Sequence, residues 1–154
     1  MANAPVAVKL GKEQRAFMLQ MSKDIYPHDG FLDDEPYLKV VDSLIKEAET
    51  DSAVAKMLND GLIDLDQRAY KIYNSSYAEV KGYGAREALL RQIETTDFFQ
   101  KVRGGLLFGI YDNKDLYAKF GYEGSSWEEG GYIDRGFSDM TWLPQDPRVK
   151  GDKK

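Results

Sequence analysis

Apolar positions recur every three to four residues through most of the chain, in blocks separated by short polar or glycine-containing breaks, and this period predicts a mainly α-helical fold. Phe17, Met18, Met21 and Ile25 place a first helix over Lys12 to Ile25, and Tyr26-Pro27-His28-Asp29-Gly30 ends it, because proline disfavours the α conformation in the residue before it. Asp33 or Asp34 can cap a second helix with Pro36 in its first turn, and Tyr37, Val40, Val41, Leu44, Ile45 and Ala48 form its apolar stripe. Asp51 can cap a third, with Val54, Met57, Leu58, Leu62, Leu65 and Ala69 inward. Gly61 inside it marks either a close helix contact or a break.

Asn74 to Gly84 reads as a polar turn region. Ala85 to Ile93 reads as a short helix carrying Leu89, Leu90 and Ile93. Thr95 or Thr96 then caps a helix whose buried side is Phe98, Phe99, Val102, Leu106 and Ile110. Gly104-Gly105 in its middle implies that something packs close to this backbone, and a further turn or two follows over Lys114 to Phe120.

Beyond Phe120 both periodicities vanish. Gly121-Tyr122-Glu123-Gly124-Ser125-Ser126-Trp127-Glu128-Glu129-Gly130-Gly131-Tyr132 and the stretch through Phe137 to Trp142-Leu143-Pro144 are rich in glycine and aromatic residues. The expected architecture is a small helical bundle with an irregular, Gly/aromatic-rich C-terminal lobe. An extended arm spans 1–11, a single helical domain with an aromatic strap spans 12–144, and a polar, disordered tail spans 145–154.

Charge and composition narrow the function. The 154 residues suit one domain, and the net charge of −5 without a basic cluster argues against binding phosphate backbones. No apolar run has the length of a membrane-spanning helix. The absence of cysteine excludes disulfides and thiolate chemistry. Met1-Ala2-Asn3-Ala4-Pro5 lacks the pattern of a signal peptide, and it suits a mature exported protein as well as a cytoplasmic one.

Candidate chemistry is sparse. His28, with Asp24, Asp29, Asp33 and Asp34 nearby, reads as a polar loop at a helix end rather than a metal site or triad. Asp112-Asn113-Lys114-Asp115 departs from the calcium-loop spacing and reads as a helix end followed by a new cap. Gly82-Tyr83-Gly84 lacks the rest of a dinucleotide fingerprint and reads as a turn. Glu123, Glu128 and Glu129 among aromatics invite comparison with glycosidases, but adjacent carboxylates in a glycine-rich loop are more simply solvated. No catalytic, cofactor-binding or metal residues are therefore assigned. Phe108, Tyr111, Tyr122, Trp127, Tyr132, Phe137 and Trp142 are the candidate residues, as a mixture of core and partner contacts. The alternative is a carbohydrate-binding module, with exposed Trp and Tyr stacking on sugar rings.

An ordered series of segments carries a resemblance: Phe98-Phe99-Gln100-Lys101-Val102-Arg103, Leu107-Phe108-Gly109-Ile110-Tyr111, Phe120-Gly121-Tyr122-Glu123-Gly124, Gly130-Gly131-Tyr132, Gly136-Phe137 and Trp142-Leu143-Pro144, with Tyr26-Pro27-His28-Asp29 upstream. Together they resemble the gluconate 2-dehydrogenase subunit 3 family, the small subunits of flavin-dependent sugar and alcohol dehydrogenases of the glucose–methanol–choline type. The similarity covers residues 95–144 and is diffuse before them. It implies a non-catalytic subunit that binds, stabilises and helps mature or export a large subunit. FAD sits in that partner and not in this chain, a cytochrome c is a candidate acceptor, and the bacterial periplasm is the location, with the cytoplasm as alternative. The family's precursors commonly carry a twin-arginine signal; this chain has no adjacent Arg-Arg. Some relatives have cysteines where this chain has none, and their Gly-Gly-Asn pattern is here Gly130-Gly131-Tyr132.

Overall fold

The computed structural model describes residues 10–131 and 133, and over that span the chain is a bundle of helices. They are α1 (Lys12–Ile25), α2 (Asp34–Thr50), α3 (Ser52–Tyr73), α4 (Tyr83–Arg91), α5 (Asp97–Leu106) and α6 (Lys114–Phe120). Among the described residues there is no strand. α2 is the central element: α1 and α3 pack on it, and α5 with the turn that follows lies against it as well.

Most of the core follows the helical spacing, with Leu10, Leu32, Ala55, Tyr77 and Val80 added to it. Met18 and Met21 of α1, Tyr37, Val41 and Leu44 of α2, and Leu58, Leu62, Leu65 and Ala69 of α3 are buried. They meet Leu89, Leu90 and Ile93 and the row Phe98, Val102, Leu106 and Ile110. Phe17, Ile25, Ile45, Val54, Met57 and Phe99 lie half-buried at its margin.

The predicted caps divide into two kinds. Asp51 accepts from the Ala53 and Val54 amides at 2.8 and 3.3 Å, and Thr96 accepts from the Phe99 amide at 3.2 Å. Asp33 occupies the N-cap of α2 but its side chain makes no capping bond, while Asp34 pairs with Lys23 at 2.8 Å. α3 runs unbroken through Gly61, because the Phe98 ring sits so close that a Cβ there would lie 2.1 Å from it. The Gly104-Gly105 expectation is met at Gly105, whose missing Cβ would be 3.1 Å from Val40. Gly109, not foreseen, faces the same valine more tightly.

The Asn74–Gly84 stretch is not merely a polar turn. Asn74 ends α3 in the left-handed region with φ 54°, and a 3₁₀ turn over Tyr77–Glu79 then drives Tyr77 fully into the core, with Val80 behind it. α4 begins at Tyr83 and ends at Arg91, two residues ahead of its predicted limits, so Gly84 is helical and only Gly82 turns. Tyr77 is held at both ends. Its amide donates to Asp66 at 2.8 Å and its hydroxyl donates to Asp24 at 2.9 Å.

Asp24 is a buried charge, 4% exposed, and the ion pair that keeps it is bidentate. Arg86 Nε and Nη2 reach its two oxygens at 2.7 and 3.0 Å, and Arg86 Nη1 donates to the Val80 carbonyl at 2.9 Å. The pair ties α1 to α4 and to the 3₁₀ turn between α3 and α4. Burial, with the Asp24 charge beside it, pushes the Tyr77 phenol well above the ordinary tyrosine range.

α5 does not end as an α-helix. Residues Leu107–Tyr111 continue it as a π turn. The buried row explains why. Phe98, Val102, Leu106 and Ile110 are spaced by four residues three times running, and in an α-helix of 3.6 residues per turn each such step drifts about 40° around the axis. A wider turn at the end returns Ile110 to the core face.

Candidate functional site

The end of the bundle formed by the α1–α2 loop, the π turn and α6 carries Phe108 and Tyr111, two of the aromatic residues that the sequence singles out. Tyr111, at the close of the π turn, points its hydroxyl at His28 Nε2 across 2.8 Å, joining residues far apart in the chain. Around that bond Tyr111 meets Tyr26 edge-on at 5.3 Å, and His28 meets Phe120 at 5.5 Å and Phe31 at 6.0 Å. Phe31 and Phe120 lie 5.3 Å apart, with Lys119 over the Phe31 ring at 5.8 Å. His28 lies in the loop at the end of α1, as its sequence context predicts, and is in addition the polar centre of a ring cluster.

The loop is fixed from beneath. The Tyr37 hydroxyl donates to the Tyr26 carbonyl at 2.6 Å, and the Leu32 amide donates to the His28 carbonyl at 3.0 Å. Tyr37 is 1% exposed, and burial pushes its phenol up to about 12. Burial raises Tyr111 as well, with Tyr26 beside it.

The predicted contact residues separate by what they touch. Tyr111 is used inside the chain, through His28, Tyr26 and Phe120. Phe108, two residues into the π turn, is 69% exposed. Tyr122 follows the left-handed Gly121 that ends α6, stands 52% exposed and lays its edge on Tyr117 at 4.7 Å. Trp127 lies on a 3₁₀ turn over Ser126–Glu129 and is 88% exposed. The reading in which the strap's rings cover the chain's own helices thus fails for Trp127, whereas Tyr122 packs one edge on Tyr117 of α6 and leaves the rest of its ring exposed. Tyr132, Phe137 and Trp142 lie outside the described residues.

The remaining motifs resolve into local structure. Asn113 caps α6 by accepting the Asp115 amide at 3.0 Å, which accounts for the Asp112–Asp115 series, and Asp112 accepts from the Tyr117 hydroxyl. Glu128 is exposed. Among the described residues no group of three or more His, Asp or Glu is placed to hold a metal ion, and no helix is long and apolar enough to cross a membrane.

Three features escape the sequence reading. One is the Asp24–Arg86–Tyr77 network, whose members are scattered along the chain. A second is an outward row on α3, Ile63, Tyr70 and Tyr73, beside Ile72. Their spacing of seven and three residues could have revealed it as a second apolar stripe. The third is a groove of about 350 Å³ between α2 and α5, floored by Gly105 and Gly109 and walled by Lys39, Glu47 and Lys101, with Lys101 and Glu47 paired at 2.6 Å. No protein-family model, no curated protein and no solved structure matches this chain.

Proposed function

We propose that the chain is a non-catalytic small subunit that binds and stabilises the FAD-containing catalytic subunit of a sugar or alcohol dehydrogenase of the glucose–methanol–choline type. The ordered series of segments from Phe98 to Pro144 supports the choice of partner. The observation that carries the binding role is the exposure of Phe108, Tyr122 and Trp127, on three turns within the last third of the chain. Single exposed apolar residues are ordinary on a protein surface. Three large rings raised on a π turn, a left-handed glycine turn and a 3₁₀ turn are the kind of anchors that dominate protein interfaces.

In this reading the redox chemistry and its FAD belong to the large subunit, a c-type cytochrome takes the electrons, and the complex works in the bacterial periplasm. The small subunit contributes apolar area at the centre of an obligate interface, where aromatic residues give large contact at little entropic cost.

The test is purification of the tagged full chain from its native host. The expected result is a stoichiometric complex with a large, yellow protein showing the flavin absorption bands. A chain that elutes alone, with no flavoprotein recovered under gentle conditions, would sink the proposal. The prominence of Trp127 keeps the carbohydrate-binding alternative concrete. Sugars that quench tryptophan fluorescence of the isolated chain in a saturable way would favour that alternative, and the subunit reading expects no such quenching.

A further inference from the structure

We propose that Phe108 is a single-residue insertion in the α5 helix, absorbed as the π turn, and that its side chain serves display to a protein partner rather than packing; the identity of that partner rests on the subunit reading above. π turns are rare, mostly occur singly inside α-helices, and gather at functional sites. The four-residue spacing of the buried row shows what this one does for the core, and the same spacing shows that one residue is surplus.

Without Phe108 the segment would run Leu106, Leu107, Gly109, Ile110, Tyr111. Ile110 would then follow Leu106 by three positions, Gly109 would follow Gly105 by three, and Tyr111 would follow Leu106 by four. Each is a same-face spacing on an α-helix. Ile110 in the core, Val40 seated on Gly105 and Gly109, and Tyr111 bonded to His28 are all compatible with an uninterrupted helix. The residue that the fold can lose is the one standing 69% exposed.

A raised ring of this kind, with Tyr122 and Trp127 also exposed beyond it in the chain, fits a concave apolar socket in a folded protein. A bilayer is the poorer match. The chain carries net charge −5, which anionic headgroups repel, and the lysines of the neighbouring α2–α5 groove, Lys39 and Lys101, are paired with Glu35 and Glu47.

The experiment compares the chain with three variants: deletion of Phe108, Phe108→Ala, and Ile63→Ala as a control for general stickiness from an exposed residue on α3. Circular dichroism and urea midpoints report the fold. Affinity for the flavoprotein subunit recovered with the wild-type chain reports display. Deletion and Phe108→Ala should fold with midpoints at or above wild type, yet each should lose about thirty-fold or more in affinity, the size of an interface hot spot; Ile63→Ala should lose none. A deletion variant that unfolds overturns the insertion. Undiminished affinity in both Phe108 variants overturns display while leaving the subunit reading intact. Phe108-dependent binding to phosphatidylcholine or anionic vesicles overturns the choice of a protein partner. If the wild-type chain recovers no flavoprotein, the subunit reading and the partner fall together, and the urea midpoint of the deletion variant still decides the insertion.

Discussion

Asp24 shows how much a single side chain can hold. Its carboxylate takes two guanidinium hydrogen bonds from Arg86, one from the Tyr77 hydroxyl and one from Gln20, and so joins α1, the 3₁₀ turn and α4. Arg86 is itself 18% exposed in its side chain. Removing one partner of such a pair strands the other charge, which typically costs about 3–5 kcal/mol. Asp24→Ala should therefore lower the urea-unfolding free energy by that order. Asp42→Ala, which breaks the equally short but exposed Arg15–Asp42 pair, should leave it almost unchanged. Equal effects from the two substitutions would refute the claim that burial decides the matter. The buried network was not legible in the sequence. Asp24 is one of several acids near His28, Arg86 one of several basic residues on short helices, and nothing local says which acid loses its water. The polar loop at His28 was legible, but its partner was not, because Tyr111 comes from a distant part of the chain and adds a ring cluster around it.

At the scale of elements, glycine contacts decide how the helices close. Glycine inside a helix ordinarily costs about 1 kcal/mol relative to alanine, so replacing it should help unless something stands in the way. At Gly61 the Phe98 ring stands in the way, whereas at Gly104 nothing lies within 4 Å of where an alanine methyl would sit. The two alanine substitutions should thus act with opposite sign. Gly61→Ala should destabilise by about 1–3 kcal/mol through overpacking, and Gly104→Ala should raise the melting temperature slightly. Combining Gly61→Ala with Phe98→Leu should recover part of the loss, and additive losses in the double variant would show that the ring is not the obstacle. The helices were legible because their apolar stripes are long and their breaks carry Pro27, Gly30, Asp51 and Thr96. Tyr77 was not, since one aromatic in a short polar stretch has no period to announce it. The π turn left a trace that periodicity alone does not interpret: a strict four-residue spacing is too slow a repeat for a straight α-helix.

Among the described residues tyrosines are buried in two places that bind the helices together, and this gives the stability of the whole molecule a direction at alkaline pH. Tyr37 pins the α1–α2 loop through the Tyr26 carbonyl, and Tyr77 pins the chain between α3 and α4 through Asp24. Burial raises both phenols, Tyr37 to about 12 and Tyr77 further. An unfolded chain releases these protons near pH 10, roughly the ordinary tyrosine value. Between that pH and the raised native values the folded chain holds more protons than the unfolded one, so unfolding free energy must fall as pH rises. The contribution is fully present below about pH 10 and is lost on passing through the native values. Urea midpoints should accordingly change little with these groups up to about pH 10 and then decline, reaching Tyr37 first. Tyr37→Phe gives up the hydrogen bond to Tyr26 and should start from a lower plateau, but its decline above about pH 10 should be shallower. Tyr77→Phe should behave likewise with a larger drop in plateau, because it also leaves the buried Asp24 short of a donor. A Tyr37→Phe chain whose alkaline decline is as steep as that of the wild type would show that this phenol is not what carries the pH dependence. Because the two tyrosines clamp the α1–α2 loop and the α3–α4 connection, the same titration should loosen the ring cluster around His28. Amide exchange at His28 and Leu32 should accelerate over the pH range in which the midpoint falls, beyond the intrinsic increase that an unprotected amide shows.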